Sequence, residues 1–183
     1  MTTALLLMDF QNGIAGRPGF EPTVEAAARA LAAARDHGIP VIFVRVAFRP
    51  GYPEVAASNL AFSRAAGAGD TMHLDNPATQ ITDSLAPRDG ELVVVKKRVS
   101  AFAGSDLEVL LRGLGADELV LGGIATSGVV LSTVRQAADL DFRLTVLADA
   151  CGDADPEVHR VLTEKVFPRQ AAVTHVDDWA ASI

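Results

Sequence analysis

Leu119-Val120-Leu121-Gly122-Gly123-Ile124-Ala125-Thr126-Ser127-Gly128-Val129-Val130 decides how this chain is read. The apolar run at 119–121 has the composition of a buried strand. Two glycines and a polar stretch follow it. Val130, Leu131, Val134, Ala137 and Ala138 then recur at helical spacing. Strand, turn and helix in that order make the front half of a strand–helix–strand unit. Ser127 stands where a helix N-cap would be. Glycines in such a turn allow a sharp bend and close approach of a ligand. N–H groups at a helix start can hold an anion or a developing oxyanion. The glycine spacing matches neither a dinucleotide fingerprint nor a P-loop, since no Gly-Lys-Ser/Thr follows.

Working outward, further apolar runs lie at 4–8, 41–46, 92–95, 144–147 and, more weakly, 171–174. Most are continuously apolar, as strands buried on both faces of a parallel sheet are. Helical patterns separate them. Residues 21–37 are alanine-rich and stop at Gly38. Residues 105–112 end at Gly113, with Ser105 and Glu108 spaced as a capping box. Asp155-Pro156 opens a helix that runs toward Val166 and stops before Pro168. The least regular stretch, 49–88, reads as a short helix near 53–64 followed by a long loop. The alternation predicts an α/β fold: one three-layer αβα, Rossmann-like domain over 1–183, with a doubly wound, mostly parallel six-stranded sheet. In that architecture the 49–88 insertion lies over the carboxyl ends of the strands, where ligands bind.

Composition excludes several functions. The 183 residues suit one domain. The formal charge of -7, with Lys96-Lys97-Arg98 as the sole basic block, does not fit nucleic-acid binding. No apolar stretch approaches the roughly 20 residues of a membrane helix. The run at 4–8 ends at Asp9, too soon for a signal-peptide core. Cys151 is the only cysteine, so no internal disulfide forms and a reducing, cytoplasmic setting is expected. His37, His73, His159 and His175 are scattered, and neither a metal site nor a cofactor is expected.

Two residues at strand ends could carry chemistry. Asp9 follows the first strand and Lys96 the third. Read structurally, Asp9 is a turn aspartate before Asn12-Gly13 and Lys96 a solvated lysine, as Lys97 and Arg98 are expected to be. Read functionally, a partly buried carboxylate beside an ammonium is a proton-transfer pair, each biasing the other's ionisation.

Asp9 in Leu7-Met8-Asp9-Phe10-Gln11, Lys96 in Lys96-Lys97-Arg98-Val99-Ser100-Ala101-Phe102, and Gly123-Ile124-Ala125-Thr126 together resemble the three signature blocks of the isochorismatase-like, or cysteine hydrolase, superfamily. Residues 145–151 resemble its next strand and acidic motif. The resemblance spans nearly the whole chain in order. It implies that Asp9 shuttles protons and Lys96 supports it. It implies a cis peptide between Ile124 and Ala125, with the N–H groups of Ala125 and Val129 turned to an oxyanion. The family's nucleophilic cysteine falls on Val129, which has no nucleophile. Cys151 lies where the family often has a non-catalytic cysteine, and neither Ser127 nor Ser132 has a visible histidine base.

The expected activity is therefore acid-catalysed hydrolysis of a vinyl ether or related small molecule, as in the superfamily's isochorismatases, with Asp9 as the acid. The alternatives are amide hydrolysis by Asp9-activated water, and a non-catalytic small-molecule binder. Pocket walls are expected from Phe48, Tyr52, Phe102, Arg45 and Ser127. Arg45, Arg49 and Arg98 are candidate partners for a substrate carboxylate. The resemblance also implies a homo-oligomer.

Overall fold

The computed structural model describes residues 2–183. Six strands, β1 (Thr3–Met8), β2 (Val41–Val46), β3 (Leu92–Lys96), β4 (Glu118–Ile124), β5 (Arg143–Gly152) and β6 (Ala172–Thr174), form one sheet in the order β3-β2-β1-β4-β5-β6. Every strand pair is parallel. The order reverses between β1 and β4, the switch point at which α/β sheets open a crevice.

Among the described residues, seven α-helices accompany the sheet: α1 (Asn12–Ala15), α2 (Glu21–Asp36), α3 (Leu60–Gly67), α4 (Leu107–Leu114), α5 (Leu131–Asp139), α6 (Pro156–Val161) and α7 (Val176–Ala180). Alternation along β1 sorts its side chains into two cores. Ala4, Leu6 and Met8 join Leu107 and Leu111 of α4 and Val134 and Ala137 of α5. Leu5 and Leu7 join Ala26, Ala27, Ala30 and Ala34 of α2 and Trp179 of α7. The alanine stripe lets α2 approach the sheet closely. These are the two faces of a three-layer αβα fold, as expected.

Several local expectations are corrected. Helix α4 starts after Asp106, whose own side chain caps nothing. The Ser105 hydroxyl accepts from Leu107 N at 3.4 Å and donates to Ala101 O, while Glu108 completes no capping box and lies 3.8 Å from Arg112 one turn on. Its end is Gly115, in the left-handed conformation (φ 64°), not Gly113. Ser127 caps nothing: Ala125 is the N-cap, residues 126–130 form a π-turn, and α5 follows from Leu131. Asn12-Gly13 opens α1 rather than a plain turn. The insertion's helix is α3, which starts at Leu60 rather than near residue 53, with Asn59 capping Phe62 N. Asp155 does cap its helix, accepting from Glu157 and Val158 N. Pro168 does not stop the chain's helical course but lies inside a 3-10 turn, Phe167–Arg169.

Gly122 and Gly123 lie within β4, so they do not form the turn. Their role is space. A Cβ on Gly123 would stand 2.9 Å from Met8 O, 3.1 Å from Met8 Cβ and 3.2 Å from Val130 Cγ2. The neighbours are backbone and core, so they yield little. Gly123→Ala is expected to cost about 1–3 kcal/mol, the usual range for overpacking. The unfolding midpoint in urea measures it.

Candidate active site

Asp9 leaves β1 with φ 60°, a left-handed conformation that aspartate tolerates better than most side chains. Its N–H donates to Val44 O at 2.8 Å, tying the end of β1 to β2. Lys96 ends β3. The two strands are not neighbours: β2 lies between them. Two strand spacings are roughly 10 Å, and the four-carbon stem of the lysine covers the difference. Lys96 Nζ reaches Asp9 Oδ2 at 3.0 Å.

Both side chains are buried, Asp9 at 5% and Lys96 at 2% exposure. An ammonium has three donors. Lys96 satisfies them with Asp9 Oδ2, Arg98 O (2.9 Å) and Val99 O (3.1 Å). The carboxylate is treated differently. Asp9 Oδ1 is buried and has no hydrogen-bond partner among the described residues. Burial disfavours the charged form and outweighs the pull of Lys96, so the Asp9 carboxyl is pushed up to about 6.

Behind this pair the site rests on residues the sequence reading passed over. Gln11 is fully buried; its amide donates to Val46 O (2.9 Å) and Thr79 O (3.0 Å) and accepts from Val46 N (2.8 Å). It welds the chain after Asp9 to β2 and to the 49–88 insertion. Its appearance inside the Asp9 block was the available signal. The expected cis peptide is present at Ile124-Ala125. Thr126, next to it, is buried, and its hydroxyl lies 2.8 Å from His159 Nδ1 on α6. Burial lowers the pKa of His159, with Asp153 opposing. No sequence spacing pairs Thr126 with His159, because 33 residues separate them.

A cleft of about 940 Å³ opens beside the site. Gln11, Ile124 and Ala125 line it together with Arg17, Phe20, and Met72 and Thr79 of the insertion. Asp9 and Lys96 sit behind this wall and do not line the cleft. Nor do the expected wall residues. Phe48 and Tyr52 are buried with Val46 and Phe62 in a small core under the insertion. Phe102 packs against Phe142 in the main core. Ser127 donates its N–H to Asp153 Oδ2 at 2.8 Å. Val129 is buried in the core that holds Met8 and Phe102.

The candidate arginines are engaged elsewhere. Arg45 donates to Leu74 O and Thr79 O, and burial lowers its pKa. Arg49 pairs with Glu54 at 2.6 Å, and Arg98 donates to Lys97 O and Glu54 O. Lys97 and Arg98 are thus not freely solvated. Lys97 donates to Ala47 O at 2.5 Å, and both tie the end of β3 to the β2–insertion segment.

Comparison with known proteins gives the family. The isochorismatase domain profile matches residues 3–178. The chain belongs to the isochorismatase family. It is 35% identical over 181 residues to the isochorismatase family protein YecD of Escherichia coli O157:H7, covering 97% of this chain and 94% of that one. It is 32% identical to the ureidoacrylate amidohydrolase RutB of Stutzerimonas stutzeri (strain A1501), covering 99% and 79%. The solved isochorismatase family protein from Burkholderia thailandensis superposes with a TM-score of 0.87 at 28% identity, covering 99% of this chain and 95% of that chain. This isochorismatase-family member is a hydrolase.

Asp9 ionises at about 3.8 when unfolded and at about 6 when folded. The folded state therefore holds the proton longer, and stability falls as pH rises from about 4 through 6. Asparagine mimics the protonated carboxyl. Above about pH 6, Asp9→Asn is expected to melt at or above the wild-type temperature, the gap closing below about pH 4. Thermal melts across that range check it; an Asp9→Asn melting temperature well below wild type at neutral pH would contradict the burial argument.

Proposed function

We propose that this hydrolase cleaves the C–N bond of a small amide, with Asp9 moving the proton, Lys96 holding Asp9 in place, and no thiol intermediate. The observation that carries this reading is the uneven pair. Lys96 is fully hydrogen-bonded, while Asp9 keeps one oxygen, Oδ1, without a partner. That oxygen is available to accept a proton. The amidohydrolase relative supports the choice of bond.

In the proposed reaction Asp9 Oδ1 takes a proton from water as the oxygen adds to the amide carbon. The same proton then passes to the departing nitrogen, the C–N bond breaks, and a carboxylic acid and an amine leave. Substrate enters by the cleft that Gln11 and the Ile124–Ala125 peptide border. The family's cysteine position falls on Val129. The only thiol, Cys151, is buried, and burial pushes it up to about 12. A thiol so seldom ionised is a poor nucleophile.

Vinyl-ether hydrolysis needs Asp9 protonated in the working enzyme. With the carboxyl ionising near 6, most of it is charged at neutral pH, which favours the base over the acid. The two readings give opposite pH limbs. For amide hydrolysis, kcat/KM is expected to rise through pH about 6 and level off. For ether cleavage it falls through the same range. Ammonia release from a panel of small amides, and turnover of isochorismate, measured against pH, separate them. Asp9→Asn is expected to lose about 10²-fold or more in kcat/KM. In Lys96→Met the ammonium no longer lowers the Asp9 pKa, so the limb moves to higher pH. Iodoacetamide is expected to leave turnover unchanged. A panel without any turnover would return the non-catalytic reading.

A further inference from the structure

We infer that the cleft takes a substrate bearing a carboxylate, and that Arg17 is the residue that binds it. Three facts converge on Arg17. First, the lining contains just two charged side chains, Arg17 and Asp153. Second, Asp153 is occupied: it accepts Ser127 N at 2.8 Å and Asp155 N at 3.3 Å. Burial raises its pKa, but these hydrogen bonds outweigh that and hold it low, so it stays an anion. Third, Arg17 is anchored without being neutralised. Its Nε donates to Gly13 O at 3.0 Å, which fixes the stem one turn back on α1. No carboxylate among the described residues forms an ion pair with it. The two terminal amines of its guanidinium are left for a ligand, in the planar fork that matches a carboxylate.

Position adds to this. Arg17 lies eight residues after Asp9, at the far end of α1, whose start is tied through Gln11 to the site. Ile14, Phe20 and Met72 give the cleft an apolar body. A ligand with its carboxylate on Arg17 and an uncharged end against the Ile124–Ala125 peptide fits that pattern. Asp153 disfavours a second anionic group. The class is a monoanionic acid whose other end carries the scissile group; that this group is an amide rests on the function proposed above.

Binding tests the subsite apart from turnover. Succinamate and 4-oxopentanamide share an amide end and differ in a carboxylate against a methyl ketone. Calorimetric affinities for both are measured in an Asp9→Asn background that consumes no amide, with Arg17 wild type, Arg17→Gln or Arg17→Lys. Arg17 is on the surface, so these variants are expected to fold. With Arg17 in place, succinamate is expected to bind about tenfold more tightly than its neutral counterpart. Arg17→Gln erases the difference, Arg17→Lys keeps part of it, and added salt shrinks it. Equal affinities, no succinamate binding, or a preference that survives Arg17→Gln would each overturn the assignment. Selective binding without ammonia release by the wild type would leave the subsite standing and remove amide hydrolysis alone.

Discussion

A single buried ion pair, Asp9 with Lys96, governs the arrangement of this protein's working end. Burying two charges is costly unless each is paired and hydrogen-bonded. Here the cost is met on one side. The ammonium has three acceptors, two of them carbonyls of the segment just after β3. That segment must curl back over the sheet end to supply them, so the lysine organises its own loop. The carboxylate is left with one free oxygen. The proposed proton-carrying role of Asp9 rests on that asymmetry.

The strand order at this end sets the reach that the pair requires. Lys96 reaches Asp9 only because β2 alone separates β3 from β1. Lysine is suited to the task by length. A shorter cation at the end of β3 would fall short, and a cation on β2 would be too close for an extended stem.

Polar groups that look exposed in the sequence are spent on holding the insertion over the strand ends. Gln11, Arg45, Lys97 and Arg98 each donate to backbone carbonyls of the chain around it. An irregular segment presents many carbonyls without regular partners, and buried ones must find donors. The long cationic side chains serve that need. The cleft beside the site is consequently poor in charge.

What the sequence by itself determined follows from local physics. Strand identity is legible because runs buried on both faces leave a continuous apolar signature; β2 spans the very run read from the sequence, Val41–Val46, whereas β4 and β5 continue beyond their apolar runs to Ile124 and Gly152. Asp9 and Lys96 were legible because each closes such a run. The ordered motifs carried the family and the cis peptide. What the tertiary structure decided is which distant groups meet. The sequence reading expected glycines in a turn, but Gly123 is small because Met8 O passes 2.9 Å from where its Cβ would be. Aromatic rings near strand ends suggest a pocket wall, but Phe48 and Tyr52 pack in a core under the insertion and Phe102 in the main core. Chemistry alone singled out the arginines, and packing had already engaged them. Periodicity reports one segment's exposure to its own two faces. It holds no information about which far segment, at what distance, will occupy the space beyond.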